Sequence, residues 1–329
     1  MATLFLERAI RRLISIPSYL IVTIALTASA PLIVPTMAIV SLFPKTKGAL
    51  RTFFFILGYL WCDVLGICMA TWLRLRWSDP AKRFQPNFKL QCKIINSLAF
   101  LAIKLYKLNM VVLNPSVFNS GPAIIMPRHA SIADTLIPFV YAAIPHDTHL
   151  RYILKKELLI DPIFDILGNQ LPNYFVDRTG QDTETATSAI SELVGTLHKD
   201  EGLVIYPEGS RFSIKKKTAL RKKHASNPDL MQQLDRWPNL LPPRLSGTMA
   251  VLKHNPGLDL VFCAHTGFEG SSHFGSLVNG SWIGATVQIK FWRIPFTEIP
   301  NEEMDRKNFF FQQWDAMEKQ VVDMKNSPR

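Results

Sequence analysis

The chain has 329 residues, a formal net charge of +11 and a sequence pI near 9.5. This length allows one α/β domain of about 200–250 residues together with a membrane-binding extension, and the charge favours anionic partners such as phospholipid headgroups, a phosphorylated cofactor or nucleic acid. The four cysteines form no CxxC pair, which argues against a zinc site or a disulfide framework and fits a reducing cytoplasm.

The N-terminal region, residues 1–74, is dominated by two apolar runs. No charged residue occurs between Arg12 and Lys45, a stretch long enough for the roughly 20 residues that cross a bilayer. A second run, residues 52–73, is bracketed by arginines, and a short basic link joins the two runs. This pattern predicts a membrane-anchoring helical hairpin. Because the cysteine content fits a reducing cytoplasm, we expect a cytoplasmic or inner membrane, with the rest of the chain on the cytoplasmic side.

Two features leave the depth of insertion open. Pro31 and Pro35 interrupt the backbone hydrogen bonding of a helix, and Asp63 places a carboxylate in an apolar run, so the hairpin either spans the bilayer twice or is partly re-entrant. A cleaved signal peptide is a further alternative, because arginines precede an apolar run that reaches small residues. The apolar character resumes at residue 52, which favours an anchor. Basic residues flank both runs, so the positive-inside rule does not fix the orientation.

Beyond the hairpin, an amphipathic linker and surface helix are predicted over residues 75–110, and an α/β domain over residues 111–329. Short β-like runs alternate with helical stretches in this second part. Such alternation predicts a mostly parallel sheet flanked by helices. The predicted strands are residues 123–126, 174–176, 203–206, 258–263 and 286–292, and the predicted helices are residues 135–143, 185–197 and 301–324.

A histidine followed five places later by an aspartate occurs three times, at His129, His224 and His254. The spacing alone is weak evidence, so the context has to choose among them. His129 follows a predicted strand and precedes a predicted helix, and the carboxyl ends of strands are where open α/β sheets bind ligands. His224 lies in a solvated basic segment and His254 in a turn, so both are interpreted as coincidences.

The pair formed by His129 and Asp134 suits general base catalysis. Neutral imidazole is a competent base near pH 7, and a carboxylate that accepts its other N–H fixes the tautomer and the orientation. Such a base could take a proton from a serine, a water or a bound alcohol. No GxSxG motif supplies a serine nucleophile, which favours direct attack by a bound alcohol. A histidine that only satisfies a strand end is the alternative without chemistry.

Two further blocks follow predicted strands. One of them, residues 206–211, contains a glycine that permits close backbone approach and an arginine that can bind a phosphate. The other block, residues 175–178, ends in Arg178, which offers another guanidinium for phosphate. Taken alone, either block could also be an ordinary strand-to-loop turn.

The ordered combination of these blocks resembles the glycerolipid acyltransferase family, which includes 1-acylglycerol-3-phosphate acyltransferases. The family's HxxxxD block matches residues 129–134, its second block matches residues 175–178, and its third matches residues 206–211 with conservative changes. A fourth, proline-containing block matches residues 241–247. The resemblance extends over residues 111–265, and the N-terminal apolar hairpin also suits this family.

The resemblance implies an O-acyltransferase of phospholipid biosynthesis. It implies that His129 is the general base and Asp134 its orienting partner. Arg178 and the third block would hold the glycerol phosphate of the acceptor, and the block's implied binding residues are Glu208, Gly209, Ser210 and Arg211. The donor would be acyl-CoA or an acyl carrier protein, and the acceptor lysophosphatidic acid or a related lysophospholipid with a free sn-2 hydroxyl. No metal or permanently bound cofactor is expected.

Two departures from the family pattern bear on the acceptor more than on the reaction. Arg128 stands where the family often has asparagine, and Pro172 stands where a glycine is usual before the second block. His265 and the turn at residues 267–270 could line the same cleft as these blocks, but core or loop packing is the favoured interpretation.

Other functions stay open at this stage. With water as the acceptor, the same pair would make a lipid thioesterase or a lysophospholipase, which phosphate-gripping arginines beside the base argue against. A non-catalytic protein that binds anionic membranes through a basic run, residues 215–223, is the alternative outside enzymology; the same run could attract the phosphates of CoA or be a solvated loop. No basic surface interleaved with aromatic residues indicates nucleic-acid binding.

Overall fold

The computed structural model describes residues 2–176, 183–269 and 277–326. Contacts divide the chain into two units. The described residues of the first unit are 2–107, 153–176 and 277–283, and those of the second unit are 108–152, 183–269 and 284–326. The three-part division at residues 74 and 110 stays a prediction.

Four helices form the N-terminal part of the first unit. They are α1 (Ala2–Ala28), α2 (Ala30–Val40), α3 (Ala49–Arg76) and α4 (Pro80–Tyr106). Proline explains why the first apolar run is two helices: Pro31 lies in the first turn of α2, where its missing N–H costs nothing, and α1 ends just before it. Pro35 lies inside α2 without ending it.

Two helical segments are long and apolar enough to cross a membrane, Leu6–Ala28 and Pro44–Arg76. Large apolar side chains of the first segment are exposed, for example Leu13 at 74% and Ile21 at 66%. Exposed apolar surface on this scale is unusual for a soluble protein and indicates contact with lipid or another apolar partner. The predicted pair of long apolar N-terminal helices is therefore confirmed.

α4 is one helix of 27 residues, longer than the surface helix expected from the apolar part of its sequence. Its N-terminus has the usual signals: the side chain of Asp79 accepts the backbone N–H of Ala81 at 2.9 Å, and Pro80 occupies the first turn. These signals start the helix within the polar stretch that the hydrophobic pattern had assigned to a linker.

A buried carboxylate joins α1 to the later part of the first unit. Asp165 has no exposed surface and lies in α6 (Pro162–Ile166). Its two oxygens accept hydrogen bonds from Arg11 at 2.7 Å and Arg12 at 2.9 Å. The arginines that flank the first apolar run therefore also have a structural role, because they neutralise a charge that would be costly to bury alone.

The described sheet has seven strands in the order β1-β7-β6-β2-β5-β3-β4. All neighbouring pairs are parallel except β6 and β7, so the predicted mostly parallel sheet is confirmed. β4 pairs with residues 153–155 of β3, and the contacts assign these residues to the first unit. The strands are β1 (Asn109–Leu113), β2 (Ala123–Pro127), β3 (His149–Lys155), β4 (Tyr174–Val176), β5 (Glu201–Val204), β6 (Asp259–Thr266) and β7 (Thr286–Ile294).

The hydrophobic pattern did not indicate β1 or β3. The reason is clearest for β3, which contains a buried charge: Arg151 is 6% exposed and forms an ion pair with Glu201 on the neighbouring strand β5. Its guanidinium also donates to the hydroxyl and the carbonyl of Thr196, each at 2.8 Å. A strand whose charge is neutralised by a neighbour cannot be recognised from its own sequence.

Helices flank the sheet of the second unit, as the alternating pattern predicted. Residues 135–143 differ from the predicted helix, because they contain a 3₁₀ turn (Ala133–Leu136) and a π-helical turn (Phe139–Ala143). Pro138, which has no N–H to donate, lies between the two turns. The remaining helices are α5 (Ile144–His146), α7 (Thr183–Gly195), α8 (Ile214–Lys223), α9 (Pro228–Arg236), α10 (Leu245–Lys253) and α11 (Glu303–Asn326).

The central strands β5, β2 and β6 pack closely. Substitution of a glycine on β5 tests this packing, and a glycine of α7 provides the control. A Cβ at Gly202 on β5 would lie 2.7 Å from the carbonyl oxygen of Ala123 on β2. Gly202→Ala should therefore destabilise the protein by about 1–3 kcal/mol, as overpacking usually does. Gly195→Ala is the matched control, since a Cβ added there would meet no atom within 4 Å, and it should be neutral or stabilising by up to about 1 kcal/mol. Thermal unfolding in detergent measures both, and equal melting temperatures would contradict the packing argument.

Candidate active site

The loop that contains His129 lies at the carboxyl end of β2, which is flanked in the sheet by β5 and β6. Two backbone hydrogen bonds fix this loop. The N–H of Arg128 donates to the carbonyl of Cys263 on β6 at 3.0 Å, and the N–H of Phe212 donates to the carbonyl of His129 at 2.6 Å. The neighbouring strand and the segment after β5 thus hold the loop from both sides. The His129 side chain is 15% exposed.

The two side chains expected to form a pair are in contact. Nδ1 of His129 lies 3.0 Å from Oδ1 of Asp134. The other carboxylate oxygen, Oδ2, accepts the backbone N–H groups of Ala130 at 2.6 Å and Ser131 at 2.7 Å. The 3₁₀ turn that includes Asp134 folds it back under its own loop, so the five-residue spacing lets one carboxylate reach both the ring and the backbone.

The Asp134 carboxylate has no exposed surface. Burial by itself would raise its pKa, but the charge and hydrogen bonding of His129 and His265 stabilise the anion, and the net pKa lies below the usual range for aspartate. Asp134 is therefore an anion throughout the neutral range. An anion beside Nδ1 keeps the proton on that nitrogen and leaves Nε2 of His129 as the basic atom.

Glu208 connects the His129 loop to the segment after α9. Its Oε1 accepts the backbone N–H of His129 at 2.6 Å, and its Oε2 accepts the backbone N–H of Leu241 at 3.0 Å. The side chain is buried, and burial raises its pKa to about 7, although the two backbone hydrogen bonds and the charge of Arg128 act in the opposite direction. Both oxygens are already engaged with backbone donors, so this geometry suits a residue that positions the loop.

The other residues of the third block surround this carboxylate. Gly209 has a φ of +64°, a conformation that side chains rarely adopt, and a Cβ there would collide with the side chain of Arg244. Ser210 is 9% exposed, and Arg211 is half-buried. Arg244, which belongs to the fourth block and had no predicted binding role, is exposed and brings a second guanidinium beside this turn. Arg178, the remaining candidate, lies outside the described residues.

Tyr206 also contacts the His129–Asp134 pair, a contact that was not predicted from the sequence. Its ring centroid lies 4.5 Å from that of His129, and its hydroxyl donates to the backbone carbonyl of Asp134 at 3.2 Å. The available signal was the replacement of the family's phenylalanine by tyrosine, which adds a hydroxyl that needs a partner when buried.

Arg128, noted in the sequence as a departure from the family pattern, is completely buried behind His129. Its guanidinium donates to Oε1 of Glu269 at 2.6 Å, to the carbonyl of His265 at 2.6 Å and to the carbonyl of Asn239 at 3.1 Å. Burial raises the pKa of Glu269, but the charge of Arg128 outweighs it and lowers that pKa to about 2. The guanidinium of Arg128 is therefore engaged by groups of the protein itself. This argues against a role for Arg128 in binding an acceptor.

Comparisons with known proteins bear on the family and the fold of this chain. Residues 109–236 match the model of the Acyltransferase family. The 1-acyl-sn-glycerol-3-phosphate acyltransferase epsilon of Mus musculus is 22% identical over 275 residues, which cover 80% of this chain and 74% of that protein. The crystal structure of the 1-acyl-sn-glycerophosphate (LPA) acyltransferase PlsC from Thermotoga maritima has the same fold, with a TM-score of 0.57 and 16% identity over 87% of this chain and 100% of that chain.

The match of residues 109–236 indicates an acyltransferase. More particularly, the resemblance to the glycerolipid acyltransferase family is confirmed, with residues 109–236 as the acyltransferase domain.

The pKa of Asp134 gives a test of the site that needs no substrate. Because its folded-state pKa is below the unfolded value of about 3.9, Asp134 contributes stability that is present above about pH 4 and is lost as the pH falls through the folded-state pKa. Asp134→Asn should therefore weaken the dependence of unfolding free energy on pH below about pH 4. Urea unfolding of the detergent-solubilised protein measures this dependence. The control is Asp229→Asn, at an exposed position; a wild-type slope in Asp134→Asn would contradict the assignment.

Proposed function

We propose that this protein transfers a fatty acyl group from acyl-CoA or an acyl carrier protein to the free sn-2 hydroxyl of lysophosphatidic acid or a related lysophospholipid, which forms phosphatidic acid or its relative. The observation that carries the proposal is the 3.0 Å contact between Nδ1 of His129 and buried, ionised Asp134. This contact leaves Nε2 as a base on a partly exposed ring at the carboxyl end of a central strand. The named activities of the mouse and Thermotoga relatives support the choice of substrate class.

In the proposed reaction the acyl group moves in one displacement. Nε2 of His129 takes the proton of the acceptor hydroxyl as the hydroxyl oxygen bonds to the thioester carbonyl carbon. The carbon–sulfur bond then breaks, and the departing thiolate takes the proton back from His129, so that the products are an ester and a free thiol. Asp134 stabilises the intermediate imidazolium through Nδ1 and keeps its own charge throughout.

Guanidinium groups near the base favour a phosphorylated acceptor. Arg211 follows Glu208 by three residues and is half-buried, and the exposed Arg244 lies against the same turn at Gly209. Arginine binds phosphate through two parallel hydrogen bonds and stays charged at any relevant pH. In this proposal they hold the phosphate of the acceptor, and Arg178 assists them.

A membrane location follows from the same proposal. The two long apolar helices, Leu6–Ala28 and Pro44–Arg76, would anchor the protein in the bilayer that contains its lysolipid acceptor and its product. We propose that this bilayer is the cytoplasmic or inner membrane. The acyltransferase domain would face the cytoplasm, where acyl-CoA and acyl carrier protein are available.

Replacement of the base is the first test. His129→Ala should lower the rate of acyl transfer by at least about 100-fold, within the range known for loss of a general base, and should leave membrane association unchanged. The control is His254→Ala, at the exposed histidine of another His/Asp match. The assay offers acyl-CoA or acyl carrier protein with a panel of lysophospholipids and identifies products by mass. Free fatty acid as the main product would indicate a hydrolase, and retained transfer in His129→Ala would refute the proposal.

Replacement of Arg211 tests how the acceptor is held. Arg211→Ala should raise the KM for lysophosphatidic acid by about 10- to 100-fold, because a charge-assisted hydrogen bond contributes about 1.5–3 kcal/mol. The KM for the acyl donor should stay within about twofold. Arg221→Ala is the control, since Arg221 is exposed and ion-paired with Asp235. An unchanged acceptor KM would remove Arg211 from the phosphate site.

A further inference from the structure

A second imidazole contacts the carboxylate of Asp134. His265, on β6, has no exposed surface, and its Nε2 lies 3.5 Å from Oδ2 of Asp134 and 3.0 Å from the backbone carbonyl of Arg128. Asp134 therefore lies between two histidine rings, one on each of its oxygens. The proposed reaction uses only the ring of His129.

The hydrogen-bonding partners of His265 define its tautomer. A carbonyl oxygen and a carboxylate can only accept hydrogen bonds, so Nε2 of His265 must carry a proton. The other ring nitrogen, Nδ1, is buried and has no hydrogen-bond partner among the described residues. A buried polar atom without a partner is costly, so packing alone would favour an apolar residue here. The contacts of Nε2 therefore give the physical reason for an imidazole at this position.

His265 and Arg128 also hold each other. The guanidinium of Arg128 donates to the backbone carbonyl of His265 at 2.6 Å, while Nε2 of His265 faces the backbone carbonyl of Arg128 at 3.0 Å. This reciprocal pair fixes the end of β6 to the residue directly before His129. The same nitrogen lies 3.5 Å from the oxygen of Asp134 that does not bind His129, so one N–H can be shared between the two acceptors.

We propose that His265 is a positioning residue that donates its Nε2 proton to Asp134 and to the Arg128 carbonyl, and so fixes the carboxylate in the orientation that His129 needs. Its side chain touches neither substrate in this assignment. The inference rests on the proposed function of His129, because a misplaced Asp134 would let the basic ring rotate away from the acceptor hydroxyl. His265 thus acts on the rate of acyl transfer through Asp134.

Two substitutions separate hydrogen bonding from packing. His265→Phe keeps a flat ring near Phe268, whose centroid lies 5.9 Å away, but removes the donor. His265→Gln supplies an amide N–H that can reach the position of Nε2. His254→Phe and His254→Gln are the matched controls at an exposed position.

We expect His265→Phe to lower kcat by about 10- to 100-fold, the range known for residues that orient metal-binding side chains, with both KM values within about twofold. We expect His265→Gln to recover most of the lost kcat. Wild-type kcat in His265→Phe would overturn the proposal. Equal loss in both variants with a lowered melting temperature would also overturn it, because it would show a packing role.

Nuclear magnetic resonance of ¹⁵N-histidine-labelled protein gives a readout that needs no turnover. The proton on Nδ1 of His129 should resonate far downfield because it is hydrogen-bonded to a carboxylate. His265→Phe should shift or broaden that signal, and His265→Gln should preserve it. If wild-type protein transfers no acyl group, the proposed function fails, while this spectrum still decides whether His265 holds Asp134; an unaffected signal in His265→Phe would refute that.

Discussion

The site depends on a charged carboxylate that has no contact with solvent. A buried anion without donors would cost several kcal/mol, so Asp134 can stay ionised only where enough N–H groups point at it. Two of these donors are backbone groups of its own loop and one is the ring of His129, while the ring of His265 on β6 lies 3.5 Å away. The loop after β2 and the end of β6 therefore together surround the charge that contacts His129.

The guanidinium of Arg128 is a second buried charge, and it holds the segments around the Asp134 carboxylate in place. The guanidinium of Arg128 binds the carbonyl groups of His265 and Asn239, and the backbone and side-chain amides of Asn239 donate to Glu318 on α11. The helix α11 is thereby connected to the residue next to His129. The family's asparagine at position 128 could not make all of these contacts, since it has two N–H donors and a shorter side chain. Arg128 therefore has a structural role in this chain that an asparagine could not fill.

Sequence patterns predicted two kinds of feature. One is contact between residues that are close along the chain, and the other is strands with continuous apolar runs. The contact of His129 with Asp134 bridges five positions, β2 is apolar throughout, and β6 is apolar from Leu260 to Ala264, so the pair and both strands could be found. Strand β3 was missed because its buried Arg151 has a partner on β5, 50 positions away. Glu208 was assigned to the acceptor, whereas its oxygens bind backbone N–H groups 79 and 33 positions away.

The sequence by itself determined the mostly parallel sheet, the two long apolar helices, the His129–Asp134 pair and the resemblance to glycerolipid acyltransferases. Alternation, hydrophobic length and short motifs are local properties, and local properties can be read along one chain. Only the tertiary structure decided that His265 lies on Asp134, that Arg128 is turned inward and that Glu208 fixes the His129 loop. These contacts depend on strand order and loop direction, which bring together residues with no regular spacing in the sequence.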